Sequence, residues 1–374
     1  MASAEAFFSV RSGEMSLGEP VFATAVRCHQ AGHARQAAAL YRDILRQQPN
    51  HAGALHLLGV ACHQQGDGEQ AAAHIRRAIE LDGTKAVYHN NLGVVLRAQG
   101  AAAEAEVAYR GALALRPEYA DALSNLATLL HEQGRCQEAL DFFRRALEVQ
   151  PEHADALYNL GNLCRDQGLT SEAIDWYRKA IAVQPSRAGA HNNLGNALLA
   201  ERRAAEAVAS YRQALALDPT CAEAHLNLGI AYAEQDRVDE AAGCFAEASR
   251  LHPEKSLWRL RSAALCPVVF DSVADLDRYR RNLDAALDAH RDAAGGVDWR
   301  EIAADGAVPS FNLAHHGCNN RPLLEKFAAL YQASLPRREL RGRKGGRKEE
   351  RGQARLLTGR GGHGSLPECH VLPE

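Results

Sequence analysis

Asn91-Leu92-Gly93, Asn125-Leu126-Ala127, Asn159-Leu160-Gly161, Asn193-Leu194-Gly195 and Asn227-Leu228-Gly229 stand 34 residues apart in the stretch from Ala86 to Pro253. Working outward from this column, the same period extends toward the N-terminus. Phased on the Leu-Gly pair, seven repeats run 18–51, 52–85, 86–119, 120–153, 154–187, 188–221 and 222–255, with no insertion. Position 20 of the repeat is alanine in all seven, from Ala37 to Ala241. Position 24 is large and apolar: Tyr41, Ile75, Tyr109, Phe143, Tyr177, Tyr211 and Phe245. Position 27 is alanine from Ala78 to Ala248, with Ile44 in the first repeat. Position 32 is proline in six repeats, Gly83 being the exception.

These columns describe two antiparallel helices per repeat. Apolar residues at i, i+3, i+4 and i+7 within each half give the helical period. Small residues at positions 8 and 20 lie where the two helices cross, since a larger side chain there forces them apart. Position 24 fills the gap to the next repeat. Glycines such as Gly100, Gly134 and Gly168 supply the left-handed conformation of a helix end. The proline stops the second helix.

The 34-residue period with Leu-Gly, then Ala, then Phe/Tyr, then Pro resembles the tetratricopeptide repeat. That resemblance implies an all-α fold: a right-handed superhelix, or α-solenoid, whose first helices line a concave groove. The outer repeats depart furthest from the pattern and are expected to act as caps.

Position 6 faces that groove under this reading, and there the chain places Asn91, Asn125, Asn159, Asn193 and Asn227. An asparagine side chain offers a donor and an acceptor. The expected ligands are therefore proteins, or extended peptide segments held through their backbone. The competing reading gives these amides to contacts between neighbouring helices. Asn162 and Asn196 add amides one helical turn along. Position 5 carries no row of lysines, so a clamp for a carboxylate-ended chaperone tail is not expected. His29, His63 and His131 share position 12 and are read as solvated groove residues rather than metal ligands, because they sit in separate repeats.

Composition sets outer limits. Apolar residues make up 46% and charged residues 24% of 374, with a net charge of −3, which does not point to a nucleic-acid partner. Residues 337–374 hold ten Lys/Arg against five Asp/Glu, net +5, which leaves −8 for the rest. The nine cysteines form no C-x-x-C pair, and Cys28, Cys62 and Cys164 share a repeat column. They are read as reduced, mostly buried thiols in a cytoplasmic protein without a metal. No run of 18 apolar residues exists to span a membrane. Residues 1–17 lack periodicity and are expected to be disordered.

Residues 256–336 read as a capping helix and a helical adaptor. Ala263 takes the place of the position-8 small residue and Trp258 covers the end of the array. Asp271 or Ser272 caps a helix expected over Val273–Ala294, and another is expected over Pro322–Ala333. The motifs L-C-P-V-V-F-D-S around Cys266, F-N-L-A-H-H-G from Phe311 to Gly317, and N-N-R-P-L ending at Leu323 are similar to the segment joining repeats to enzyme in bacterial SPINDLY-like protein O-linked N-acetylglucosamine transferases. That resemblance implies a substrate-recruiting arm. For the full-length family it implies a UDP-sugar and a two-lobed glycosyltransferase domain. It places His315 and His316 in the adaptor, outside the catalytic machinery.

Residues 337–374 contain eight glycines and almost no apolar runs, so they are expected to form a disordered basic tail, natural or frameshifted. No cofactor site or catalytic residue is expected in this chain. The alternative is a plain tetratricopeptide adaptor with no link to glycosylation.

Overall fold

The computed structural model describes residues 19–265, 272–293 and 321–334. All regular structure among them is helical. Seven helix pairs follow the repeat phase: α1 Glu19–Gln30 and α2 Ala34–Gln47, α3 Ala52–Gln64 and α4 Gly68–Leu81, α5 Ala86–Ala98 and α6 Ala102–Leu115, α7 Ala120–Glu132 and α8 Cys136–Val149, α9 Ala154–Asp166 and α10 Thr170–Val183, α11 Ala188–Ala200 and α12 Ala204–Leu217, α13 Ala222–Ala233 and α14 Val238–Leu251. Three more follow: α15 Ser256–Ala264, α16 Val273–Ala293 and α17 Arg321–Ser334. The chain divides into two compact units between Gln235 and Asp236.

In the first unit each helix packs on the one before and after it, so the core is a continuous row rather than a central ball. The alanines at positions 20 and 27 are fully buried, as are the rings of Tyr41, Tyr109, Phe143, Tyr177 and Tyr211. The position-24 ring lies against position 8 of its own repeat, which refines the sequence expectation that it fills the gap to the next one. A Cβ built on Gly93 would stand 2.5 Å from Tyr109 Cε1, on Gly161 2.7 Å from Tyr177 Cε1, and on Gly195 2.5 Å from Tyr211 Cε1. Glycine at position 8 makes room for the tyrosine ring in these three repeats.

The turn between the two helices of a repeat is a Schellman motif. In the third repeat Gly100 N donates to Arg97 O at 3.0 Å and Ala101 N to Leu96 O at 3.0 Å. Gly32, Gly66, Gly100, Gly134 and Gly168 all have φ between +76° and +84°. The sixth repeat makes the same two bonds through Arg202 and Arg203 at 2.9 Å, with Arg202 at φ +61°, and Asp236 holds the seventh turn at φ +57°.

Gly83, the missing proline, leaves its turn unchanged. Asp82 Oδ1 accepts from Thr84 N and Oγ1, just as Asp218 Oδ1 accepts from Thr220 N and Oγ1 around Pro219. In both, the backbone N–H of the aspartate closes the preceding helix on the position-27 carbonyl.

The second unit builds its own small core. Leu260 and Ala264 of α15 meet Leu283 and Leu287 of α16 and Leu323 of α17. Ala263 stands at position 8 of this helix, half-buried, and Ala264 beside it is buried. Trp258 is buried with its ring edge-on to His252. Ser272 Oγ caps α16 by accepting from Asp275 N at 3.2 Å. Lys326 of α17 bridges Asp284 and Asp288 of α16 at 2.5 and 2.7 Å. Phe311–Gly317, His315 and His316 included, and residues 337–374 lie outside the described residues.

Candidate functional site

The first helices of the second to fifth repeats, with His153 and Arg187 from the turns that follow the fourth and fifth repeats, present their polar positions on one side of the first unit. There they line a groove of about 570 Å³. Its floor carries Asn90, Asn91, Asn125, Thr128, Asn159 and Asn162. Of the five asparagines expected from sequence, Asn91, Asn125 and Asn159 line this groove; Asn193 and Asn227 continue the column beyond it.

Each of the five uses its Nδ2 to bind the preceding repeat. Asn91 donates to His56 Nε2 at 2.8 Å, Asn125 to Asn90 Oδ1 at 3.0 Å and Asn227 to Asn192 Oδ1 at 3.1 Å. Asn193 donates to Tyr158 Oη at 3.0 Å and Asn162 Oδ1 at 2.9 Å. Asn159 finds Ser124 at position 5 of the previous repeat, whose side chain is too short, and donates to Thr128 Oγ1 at 3.1 Å instead. The column is therefore an inter-repeat staple on its donor side. The carbonyl oxygens differ from one member to the next. Those of Asn91 and Asn193 accept from the Nδ2 of Asn90 and Asn192. Those of Asn125, Asn159 and Asn227 accept no hydrogen bond among the described residues.

His56, buried at the end of this chain of bonds, must be neutral at Nε2 to accept from Asn91. Burial favours that state and lowers its pKa to about 3, with a further push from His29. His29 is itself 3% exposed, not the solvated group expected from its column. Its ring sits between Tyr41 Oη and Gln64 Oε1, at 3.4 and 2.9 Å. His63 and His131 are half-buried in the groove wall.

The walls are lined by paired acidic and basic side chains. Position 12 of one repeat reaches position 13 of the next: Arg97 to Glu132 at 3.4 Å and His131 to Asp166 at 3.1 Å. The following repeat has Ala200 at position 13, so Arg165 turns back to Asp166 at 2.8 Å. Position 34 pairs with position 2 of its own repeat: His153 with Asp121 at 3.0 Å and Arg187 with Asp155 at 2.5 Å. The Arg187 guanidinium also lies over the Tyr158 ring at 4.0 Å. His51 and His153 do a second job, their Nδ1 accepting from Ala54 N and Ala156 N as helix caps.

A histidine column that sequence reading passed over lies at position 4. His89, His191 and His225 each place Nε2 within 2.9–3.1 Å of the position-32 carbonyl of the repeat before. Three occurrences at one register were the available signal. The cysteines are free among the described residues, but only Cys62 and Cys164 are buried, fewer than expected. No group of three potential metal ligands converges among the described residues, and no described helix is long and apolar enough to cross a membrane.

Comparison with known proteins places this arrangement. Two family models described as tetratricopeptide repeat match the chain, one at residues 84–152 and 118–186, the other at 30–86 and 192–256. No curated protein matches it. Among solved structures, PilF of Pseudomonas aeruginosa is 25% identical, with a TM-score of 0.51 over 56% of this chain and 95% of that one. PilW, a type IV pilus biogenesis factor, is 21% identical with a TM-score of 0.51 over 56% of this chain and 98% of that one. A chain of the Cut9–Hcn1 hetero-tetramer is 15% identical with a TM-score of 0.56 over 70% of this chain and 48% of that one. The last two show the shared fold alone.

Proposed function

This chain is a tetratricopeptide-repeat protein, and from that premise we propose that it is a protein-interaction scaffold whose groove from His63 to Arg187 receives an extended segment of a partner protein. The observation that supports the reading most is the groove itself. It is polar, walled by ordered ion pairs, and floored by Asn125 and Asn159 with open carbonyl acceptors. A backbone N–H is the group every peptide can offer to such acceptors, whatever its sequence. The Asn column acts in this reading through its oxygens, while its nitrogens hold the repeats in register.

The test is site-specific photo-crosslinking from Val94, in the groove, and from Val107, which is 72% exposed and outside it. Partner segments crosslinked from Val94 and absent from Val107 support the groove. Equal capture from both positions removes the basis for it. A companion experiment replaces Asn125 and Asn159 with alanine and monitors folding by circular dichroism. Unchanged capture by the folded variant would assign the column a structural role only.

Residues 256–336 support a narrower reading, a substrate-recruiting arm for a protein O-linked N-acetylglucosamine transferase of the SPINDLY type. Its support is the succession of motifs through that segment, most of them outside the described residues. Reading the encoding DNA past codon 336 in all three frames tests it. A frame encoding an R-x-G-[FY]-V-S strand sustains the link, and its absence leaves the plain scaffold.

A further inference from the structure

The ion pairs of the groove are built asymmetrically, and the asymmetry bears on the partner. In each pair the acid is more exposed than the base. Glu132 and Arg97 are 51% and 34% exposed, Asp166 and His131 45% and 18%, Asp155 and Arg187 35% and 24%, and Asp121 and His153 29% and 8%. The basic side chains are tucked toward the helices and held there. Arg187 is fixed by Asp155 and the Tyr158 ring, and Arg165 gives both Nε and Nη2 to Asp166 Oδ1 at 3.0 and 2.8 Å. The carboxylates keep oxygen lone pairs turned outward, since each has about four acceptor sites and its partner uses one or two.

The amides carry the same polarity. Every Nδ2 of the Asn column donates to the preceding repeat, whereas Oδ1 of Asn125 and Asn159 accepts nothing among the described residues. Each nitrogen of the column thus has at least one of its two N–H groups engaged, while the oxygens of Asn125 and Asn159 are wholly open. Arg97, Arg165 and Arg187 stand against Asp121, Glu132, Asp155 and Asp166 among the lining residues.

We infer that the groove selects an extended segment bearing lysine or arginine, and discriminates against acidic or phosphorylated segments. This rests on the reading of the groove as a peptide site and adds its preference. A peptide N–H finds the asparagine oxygens, and an ammonium or guanidinium finds the outward carboxylate edges. A carboxylate or phosphate finds arginines that are less exposed than the acids beside them and already paired with those acids.

The probes are three labelled dodecapeptides on one glycine/serine/alanine background, carrying three lysines, three glutamines or three glutamates. Binding to the full chain is read by fluorescence anisotropy. The lysine peptide is expected to bind about tenfold more tightly than the glutamate peptide, with glutamine between and about threefold for each of the two steps. Raising salt should shrink the difference, because exposed pairs are screened. In the E132Q/D155N double variant, checked for folding by circular dichroism, the difference should narrow or invert as Arg97 and Arg187 are released. Equal binding of the three peptides, or tighter binding of the glutamate peptide, overturns the preference and leaves the groove reading standing. Binding of none at millimolar concentration overturns both.

Discussion

The hydroxyl of Tyr177 donates to Oδ1 of Asn162 at 2.8 Å, fifteen residues earlier and within the same repeat. Tyr211 does the same to Asn196 at 2.8 Å. Position 24 and position 9 thus form a matched pair of ring and amide. In the third repeat the pair is broken: position 9 is Val94, and Tyr109 Oη is buried without a hydrogen-bond partner among the described residues. Burial pushes its pKa up to about 12, partly opposed by the nearby Arg97 guanidinium.

The broken pair predicts opposite responses to one substitution. Tyr177→Phe should cost about 1 kcal/mol, the usual loss for a hydrogen bond to a buried group, and leaves Asn162 with one donor fewer. Tyr109→Phe removes an unsatisfied hydroxyl and should be neutral or stabilising. Val94→Asn should stabilise the wild-type chain but not the Tyr109→Phe variant. Urea unfolding monitored by circular dichroism reads all three, and a cost for Tyr109→Phe equal to that of Tyr177→Phe would contradict the pairing.

A second prediction concerns the turns. Arg202 adopts φ +61° in a motif that five other repeats build on glycine, and its side chain has no partner among the described residues. A left-handed non-glycine residue costs about 1–2 kcal/mol. Arg202→Gly should recover roughly 1 kcal/mol, net of the greater freedom glycine has in the unfolded chain. Gly100→Ala, at φ +76°, should lose a similar amount. Thermal melts of the two variants should therefore move in opposite directions, and a lower melting temperature for Arg202→Gly would count against a strained turn.

The third follows from His56. Its folded pKa of about 3 lies below the ordinary 6.5, so the unfolded chain binds the extra proton first as pH falls. Stability from the neutral ring is fully present above pH 6.5 and declines from there toward pH 3, with a limiting slope of about 1.4 kcal/mol per pH unit. His29, His63 and His74, also lowered by burial, add to the same acid-side loss. His56→Asn places at position 5 the residue already used there as Asn90 and Asn192, keeps an acceptor for Asn91, and removes one titration. Its unfolding free energy should fall less steeply between pH 6.5 and 4 than that of the wild type. An unchanged slope would show that His56 is not neutralised by its surroundings.

Much of the fold was legible because it is repeated. Ala105, Tyr109 and Ala112 occupy positions 20, 24 and 27, and their burial could be read from the column without coordinates. Asn125 and Asn159 could likewise be assigned to the groove side from the helical period. Their bonding could not. Asn125 reaches position 5 of the repeat before, and Asn159 reaches position 9, because Asn90 is long enough to accept and Ser124 is not. The sequence offers each amide as both donor and acceptor, whereas the structure commits one N–H of each to the repeat before and leaves the oxygen open.

What the sequence by itself determined is the period: a 34-residue register of small, aromatic and turn residues admits one kind of helix pair, and stacking that pair buries its apolar stripe. What only the tertiary structure decided is the polarity of the groove. Whether a polar side chain is available to a ligand depends on which neighbour 31 or 35 residues away lies within about 3 Å of it. That distance is set by helix packing between repeats, and no column of the sequence records it.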